Sequence, residues 1–74
     1  MKITLKLFAT LRDYGENISE VEVSDNAIPL DVIKLMAIPV EDVSIIMVNG
    51  RRLMESVQLN EGDVLALFPP VGGG

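Results

Sequence analysis

Apolar and polar positions alternate over residues 2–8, with Ile3, Leu5 and Leu7 on one face, Lys2, Thr4 and Lys6 on the other, and Phe8 breaking the pattern at the end. This is the period of a half-buried strand. Residues 19–23 repeat it, Val21 and Val23 opposite Glu20 and Glu22. The two segments predict an antiparallel hairpin in which Lys2 and Lys6 face Glu20 and Glu22, surface pairs worth about 0–1 kcal/mol that carry no functional information. Between them, residues 9–15 read as a short helical turn and loop, with Leu11 and Tyr14 on one side and Gly15 as a stop.

Pro29 stands where a first helical position tolerates proline, ahead of a helix over residues 30–37. Leu30, Ile33 and Ala37 share a face, Val32, Leu35 and Met36 widen it, and only Asp31 and Lys34 are charged, so a mostly buried helix is expected, ended by Pro39. Glu41 and Asp42 mark a surface loop. Residues 43–48 are almost continuously apolar and rich in β-branched side chains, and Asn49-Gly50 after them is a strong hairpin signal. Residues 51–54 then return as a short strand, residues 55–62 form a loop holding Val57 and Leu59, and residues 64–68 are apolar throughout, as a central strand would be.

This order predicts an α+β domain of the β-grasp type over residues 1–68, with a mixed sheet of four to five strands and one main helix on one face. The first and last strands lie side by side in the middle, the tail leaves at the sheet's edge, and the other face stays open for a partner.

Residues 69–74, Pro-Pro-Val-Gly-Gly-Gly, form that tail. The two prolines hold φ near −65° and offer no N–H, which ends sheet pairing and projects the chain outward. At roughly 3.3–3.6 Å per residue the tail carries a terminal carboxylate about 20 Å from the last strand, far enough to enter another protein's active site. Glycines keep its end thin and conformationally free. The plain alternative is a frayed end without a role.

Composition narrows the chemistry. A chain of 74 residues buries only about 60% of its unfolded surface, but at 49% hydrophobic it can form one core. It has no Cys, His or Trp, hence no disulfide framework, thiolate site, persulfide-bearing side chain or imidazole base. Ser19, Ser24, Ser44 and Ser56 have no base to activate them, and the carboxylates read as solvated surface, so no catalytic side chain and no metal site are expected. A net charge of −5 disfavours nucleic acid and favours encounter with a basic protein surface. With no membrane-length apolar run and no leader, a cytoplasmic location is expected.

The segments Lys6-Leu7-Phe8-Ala9-Thr10-Leu11-Arg12, Val48-Asn49-Gly50-Arg51, Glu61-Gly62-Asp63-Val64 and Phe68-Pro69-Pro70-Val71-Gly72-Gly73-Gly74 together resemble the MoaD/ThiS family of ubiquitin-like sulfur carriers over essentially the whole length. The proline pair is closer to the MoaD branch, the small subunits of molybdopterin synthase. The resemblance implies a ubiquitin-like β-grasp with a flexible tail and no permanently bound cofactor. It implies that an E1-like enzyme uses ATP and magnesium to adenylate Gly74, and that a sulfur donor protein converts the adenylate to a thiocarboxylate. The tail then enters a larger synthase subunit and supplies sulfur to a pterin precursor of the molybdenum cofactor. Activation is needed because a free carboxylate is an anion at neutral pH and a poor electrophile.

By the same resemblance Gly73 and Gly74 carry the reactive end, and Gly72, Val71, Pro70, Pro69 and Phe68 guide the tail and dock. Phe8, Met47 and Arg51 are candidates for the docking face. Ordinary core packing is the alternative for Phe8 and Met47, and a solvated hairpin position for Arg51 and its neighbour Arg52. The family usually closes on two glycines, whereas this chain has three. Were it processed, Gly73 would be the reactive residue. Other readings remain open: a carrier for thiamin thiazole, tungstopterin or tRNA thiolation, a ubiquitin-like modifier of lysines, or a plain interaction domain.

Overall fold

The computed structural model describes residues 1–70. Strand β1 (Lys2–Leu7) buries Ile3, Leu5 and Leu7 and turns Thr4 and Lys6 to the opposite face, the two-residue repeat of a pleated strand. Its antiparallel partner β2 (Ile18–Glu22) begins one residue earlier than the pattern suggests. Ile3 therefore lies opposite Val21, and Lys6 lies opposite Ile18 rather than an acid. Lys2 reaches diagonally to Glu20 at 3.8 Å, an exposed pair that adds little.

The connection between these strands holds a 3₁₀ turn, Ala9–Tyr14. Leu11 is buried and closes one end of the core, as expected. Tyr14 does not join it. The Tyr14 hydroxyl donates to Asp42 at 3.1 Å, tying this turn to a second 3₁₀ segment, Val40–Asp42.

Helix α1 (Pro29–Leu35) starts with proline at its first position, and Asp31 accepts a hydrogen bond from the Ile28 N–H at 3.0 Å. Val32 and Ile33 are buried against the sheet. The helix is shorter than the expected 30–37, and Pro39 does not end it. Ala37 takes a left-handed conformation, φ 58°, with its N–H donating to Lys34 C=O at 3.0 Å and the Ile38 N–H donating to Ile33 C=O at 3.1 Å. These two bonds make a Schellman ending, in which Ile38 turns back as the buried contact. Leu35 and Ala37, both expected on the buried face, are consequently exposed.

Strands β3 (Ile45–Val48), β4 (Arg51–Arg52) and β5 (Val64–Phe68) complete a mixed sheet of order β2-β1-β5-β3-β4. β1 and β5 run parallel in its middle, Leu5 beside Leu65 and Leu7 beside Leu67, and the other pairings are antiparallel. This is the β-grasp arrangement, with α1 held on one face. The chain beyond β5 leaves the end of a central strand rather than the sheet's lateral edge.

Asn49 and Gly50 turn the β3–β4 hairpin at φ 53° and 82°, both in the left-handed region a type I′ turn requires. The Asn49 side chain also accepts from the Val64 N–H and donates to Asp63, each at 2.9 Å, so the turn is bound to the start of β5. β4 is only two residues long, and the chain then crosses the start of α1. There Glu55 C=O accepts from Leu30 N–H, Leu59 N–H donates to Ala27 C=O, and Leu59 is buried while Val57 is exposed.

Two measurements check these contacts. Ala37 is exposed and left-handed, so Ala37→Gly removes backbone strain without losing packing and should stabilise the fold by about 1 kcal/mol, raising the melting temperature by roughly 4–8 °C. An unchanged melting temperature would mean that Ala37 carries no strain. The Tyr14 phenol is held above its ordinary value, first by the hydrogen bond it donates to Asp42, then by desolvation and by the charges of Asp42, Asp13 and Glu41. Tyr14 is the sole tyrosine and there is no tryptophan, so near-ultraviolet absorbance reads its titration directly. Asp42→Ala should shift the midpoint down toward the ordinary value of about 10, and an unmoved midpoint would exclude the contact.

Candidate functional site

The parallel pairing of β1 and β5 brings the ends of these strands level, so Phe8, just after β1, meets Phe68, the last residue of β5. Their rings stack with centroids 4.3 Å apart and planes 13° from parallel. The backbone is fixed on both sides of this point: Phe8 N–H donates to Leu67 C=O at 3.2 Å, and Ser44 N–H donates to Phe68 C=O at 2.8 Å. Pro69, half-buried, and Pro70, exposed, follow with no N–H to extend the ladder. The root of the terminal stretch is therefore held by two neighbouring segments, one after β1 and one before β3. Val71, Gly72, Gly73 and Gly74, which carry the expected chemistry, lie outside the described residues.

Around this root the uncovered face of the sheet is apolar. The registers set Ile45 beside Phe68, Met47 beside Ala66, and Val64 beside Thr4. Since Leu65, Leu67, Ile46 and Val48 point to the helix side and are buried, Val64, Ala66, Phe68, Ile45 and Met47 point away from it, each half-buried. Phe8 and Met47 both belong to this band and not to the core cluster. Of the hairpin arginines, Arg51 lies opposite Val48, on the helix side, and Arg52 lies opposite Met47. Arg52 thus borders the band, and Arg51 does not.

Ile45, Val64 and Ala66 are members of this face that sequence reading did not single out. A signal for them exists. On the uncovered face β1 and β2 are polar except at Ile18, whereas β3 and β5 are apolar at every position, and a strand in a sheet covered on one side needs apolar residues only at alternate positions. The surplus apolar positions are the ones that form the band.

Among the described residues no cluster of three or more His, Cys, Asp or Glu side chains is placed to hold a metal ion. No helix among them is long and apolar enough to cross a membrane. What the arrangement offers is presentation: a braced exit point at the end of an apolar band.

A mixed sheet clasping one helix, with an exit of this kind at the end of its central strand, defines the ubiquitin-like β-grasp class. The model of the ThiS family matches residues 5–74, and the chain belongs to that family. A Pyrococcus furiosus chain described as molybdopterin converting factor subunit 1 superposes with a TM-score of 0.77 at 31% identity, over 96% of this chain and 99% of that one. SAMP1, a small archaeal modifier protein of Haloferax volcanii, superposes at 0.78 with 28% identity over 100% of both chains. A chain from the complex of subunits 1 and 2 of the Helicobacter pylori molybdopterin-converting factor shares the fold, with TM-score 0.65 at 23% identity over 100% of both. No match is found among curated proteins.

The brace at the root is testable by itself. Phe8→Ala should destabilise the domain by about 2 kcal/mol in urea unfolding, through lost apolar area and the lost stack, and Phe8→Leu should recover the area share. Equal loss in both variants would mean that the stack, not the area, sets the effect.

Proposed function

We propose that the protein is a sulfur carrier whose C-terminal glycine is activated and thiocarboxylated, and that it acts as the small subunit of a molybdopterin synthase. The observation that carries this reading is the braced exit at Phe68: the sheet ends on a stacked residue whose own carbonyl and that of Leu67 before it are both hydrogen-bonded, and the sequence continues Pro-Pro-Val-Gly-Gly-Gly. A carrier needs a rigid body that partners can grip and a slender terminus that reaches their active sites. Membership of the ThiS family and likeness to a molybdopterin converting factor subunit 1 at 31% identity support it.

The chain's own part is to bind and to present. An E1-like enzyme, with ATP and magnesium, joins the Gly74 carboxylate to the α-phosphate and releases pyrophosphate. A donor protein then supplies sulfur at the oxidation level of hydrosulfide, AMP departs, and the terminus is left as a thiocarboxylate. That terminus is a nucleophile with no Cβ beside it to hinder attack. The partner that consumes it is a larger synthase subunit, by analogy with the Helicobacter pylori complex of subunits 1 and 2. Gly73 and Gly74 form the reactive end, Gly72, Val71, Pro70 and Pro69 thread it, and Phe68, Phe8 and Met47 contribute to docking.

A second reading rests on the likeness to SAMP1 across both full chains: the same adenylate could be captured by a lysine amine instead of sulfur, which would make the protein a modifier. The two differ in product. Incubation with ATP, magnesium, an E1-like enzyme and a sulfur donor should raise the intact mass by about 16 Da, the difference between sulfur and oxygen, and deletion of Gly74 should abolish the gain without unfolding the domain. Gly74-dependent conjugates to lysines with no such mass gain would favour the modifier. Full sulfur transfer by the truncated chain would overturn both.

A further inference from the structure

Lys6 and Arg12 border the same cleft as Phe8, and neither forms an ion pair among the described residues. Together with Leu7, Phe8, Asn17 and Ile18 they line an open cleft of about 240 Å³ between the end of β1 and the start of β2. The Arg12 guanidinium is already oriented, because its Nε donates to the Leu7 C=O at 3.3 Å. That bond leaves the terminal nitrogens of the fork for another acceptor. Lys6 is placed by its register between Ile18 on β2 and Ala66 on β5, on the uncovered face. Ile18 itself is 60% exposed at the cleft mouth, an apolar side chain of no use to the core.

Two cations, neither paired with any of the chain's eleven acids among the described residues, thus line one cleft. Their mutual repulsion is relieved by an anion, and the cleft is smaller than the roughly 300–1,000 Å³ of typical ligand pockets, so a side chain fits it better than a nucleotide or a pterin. The cleft is also continuous, through Phe8, with the apolar band at the root of the terminal stretch.

We propose that this cleft is a carboxylate-receiving socket: an Asp or Glu side chain projecting from the apolar docking surface of the protein that receives the tail seats between Lys6 and Arg12, beside the Phe8 ring. This rests on the carrier reading and adds a specificity device to it. The apolar band supplies contact area without direction, whereas one charged pair at its side fixes how the domain sits, and therefore where the tail points. A partner lacking the acid would leave two cations against an apolar surface and be rejected.

The test measures binding of the full chain to the purified E1-like activating enzyme and to the larger synthase subunit from the same organism, by calorimetry at several salt concentrations. Lys6→Glu and Arg12→Glu should each weaken binding at least tenfold at low salt toward one or both proteins. The deficit should shrink toward 1 M salt, where the Debye length falls to about 3 Å. Lys34→Glu, on the exposed side of α1, makes the same change in net charge and should leave affinity within twofold. Circular dichroism of each variant confirms the fold. Equal losses from Lys34→Glu and Lys6→Glu would mean long-range repulsion and overturn the socket, as would unaltered binding of the cleft variants to both proteins. Tighter binding by Lys6→Glu would also overturn it, since the cleft would then hold the chain's own terminal carboxylate. Failure of the unaltered chain to bind either protein would instead remove the carrier reading on which the socket rests.

Discussion

The parallel pairing of the first and last strands is the constraint on which the remaining structure depends. Leu5 beside Leu65 and Leu7 beside Leu67 form the dry centre of the domain, and these partners lie at opposite ends of the sequence. A parallel pair cannot be closed by a tight turn, so the intervening chain has to cross over, and α1 lies on the face that this crossing covers. Everything peripheral follows from that. β2 pairs back on the free side of β1, the β3–β4 hairpin occupies the free side of β5, and the loop through Leu59 closes the remaining gap beside the helix.

The same pairing decides where the chain can exit. Parallel strands end at the same side of the sheet, so Phe8 and Phe68 meet and the residues after Phe68 start from the middle of the sheet. An exit from an edge strand would have met a partner at the margin of the domain. An exit from the centre lets a partner grip the apolar band around the root while the terminus runs on into it. Burial of the core requires only Leu65, Leu67, Ile46 and Val48 from the two strands involved; Val64, Ala66, Phe68, Ile45 and Met47 add apolar surface on the side that no helix covers. Surface of this kind is a liability in a protein without partners and a grip in one that has them.

Much of this was legible in residues whose local and tertiary roles agree. The alternation of Ile3, Leu5 and Leu7, the Asn49-Gly50 turn and the unbroken apolar strand from Val64 to Phe68 each specify one outcome, and the architecture follows from their order. Where structure and local pattern differ, tertiary contacts override the pattern. The pattern extends the helix to Ala37 because alanine is a good helix former, yet a buried Ile38 turning back toward the core holds Ala37 in the left-handed region usually given to glycine. Tyr14 shares the spacing of a core residue with Leu11 but has a carboxylate, Asp42, within reach outside the core. Arg51 and Arg52 cannot be assigned to faces without the hairpin register, because a shift of one residue exchanges them. The stack of Phe8 on Phe68 joins residues sixty positions apart and has no local signature.

The chain has no thiol and no imidazole, so any step that needs either has to be supplied by a partner. On the carrier reading, the energy of activation comes from ATP in one partner and the acceptor chemistry from another, while this chain supplies position. Both partners need the same tail, which emerges at one point on one face, so they cannot hold it together. The carrier has to leave the activating enzyme before it can meet the acceptor. Affinity at the face must then be moderate, and discrimination has to come from orientation more than from area. A half-buried apolar band of six residues flanked by Lys6 and an oriented Arg12 suits that requirement better than a large, wholly apolar interface, because charge at the rim accelerates encounter and rejects wrong partners without greatly slowing release.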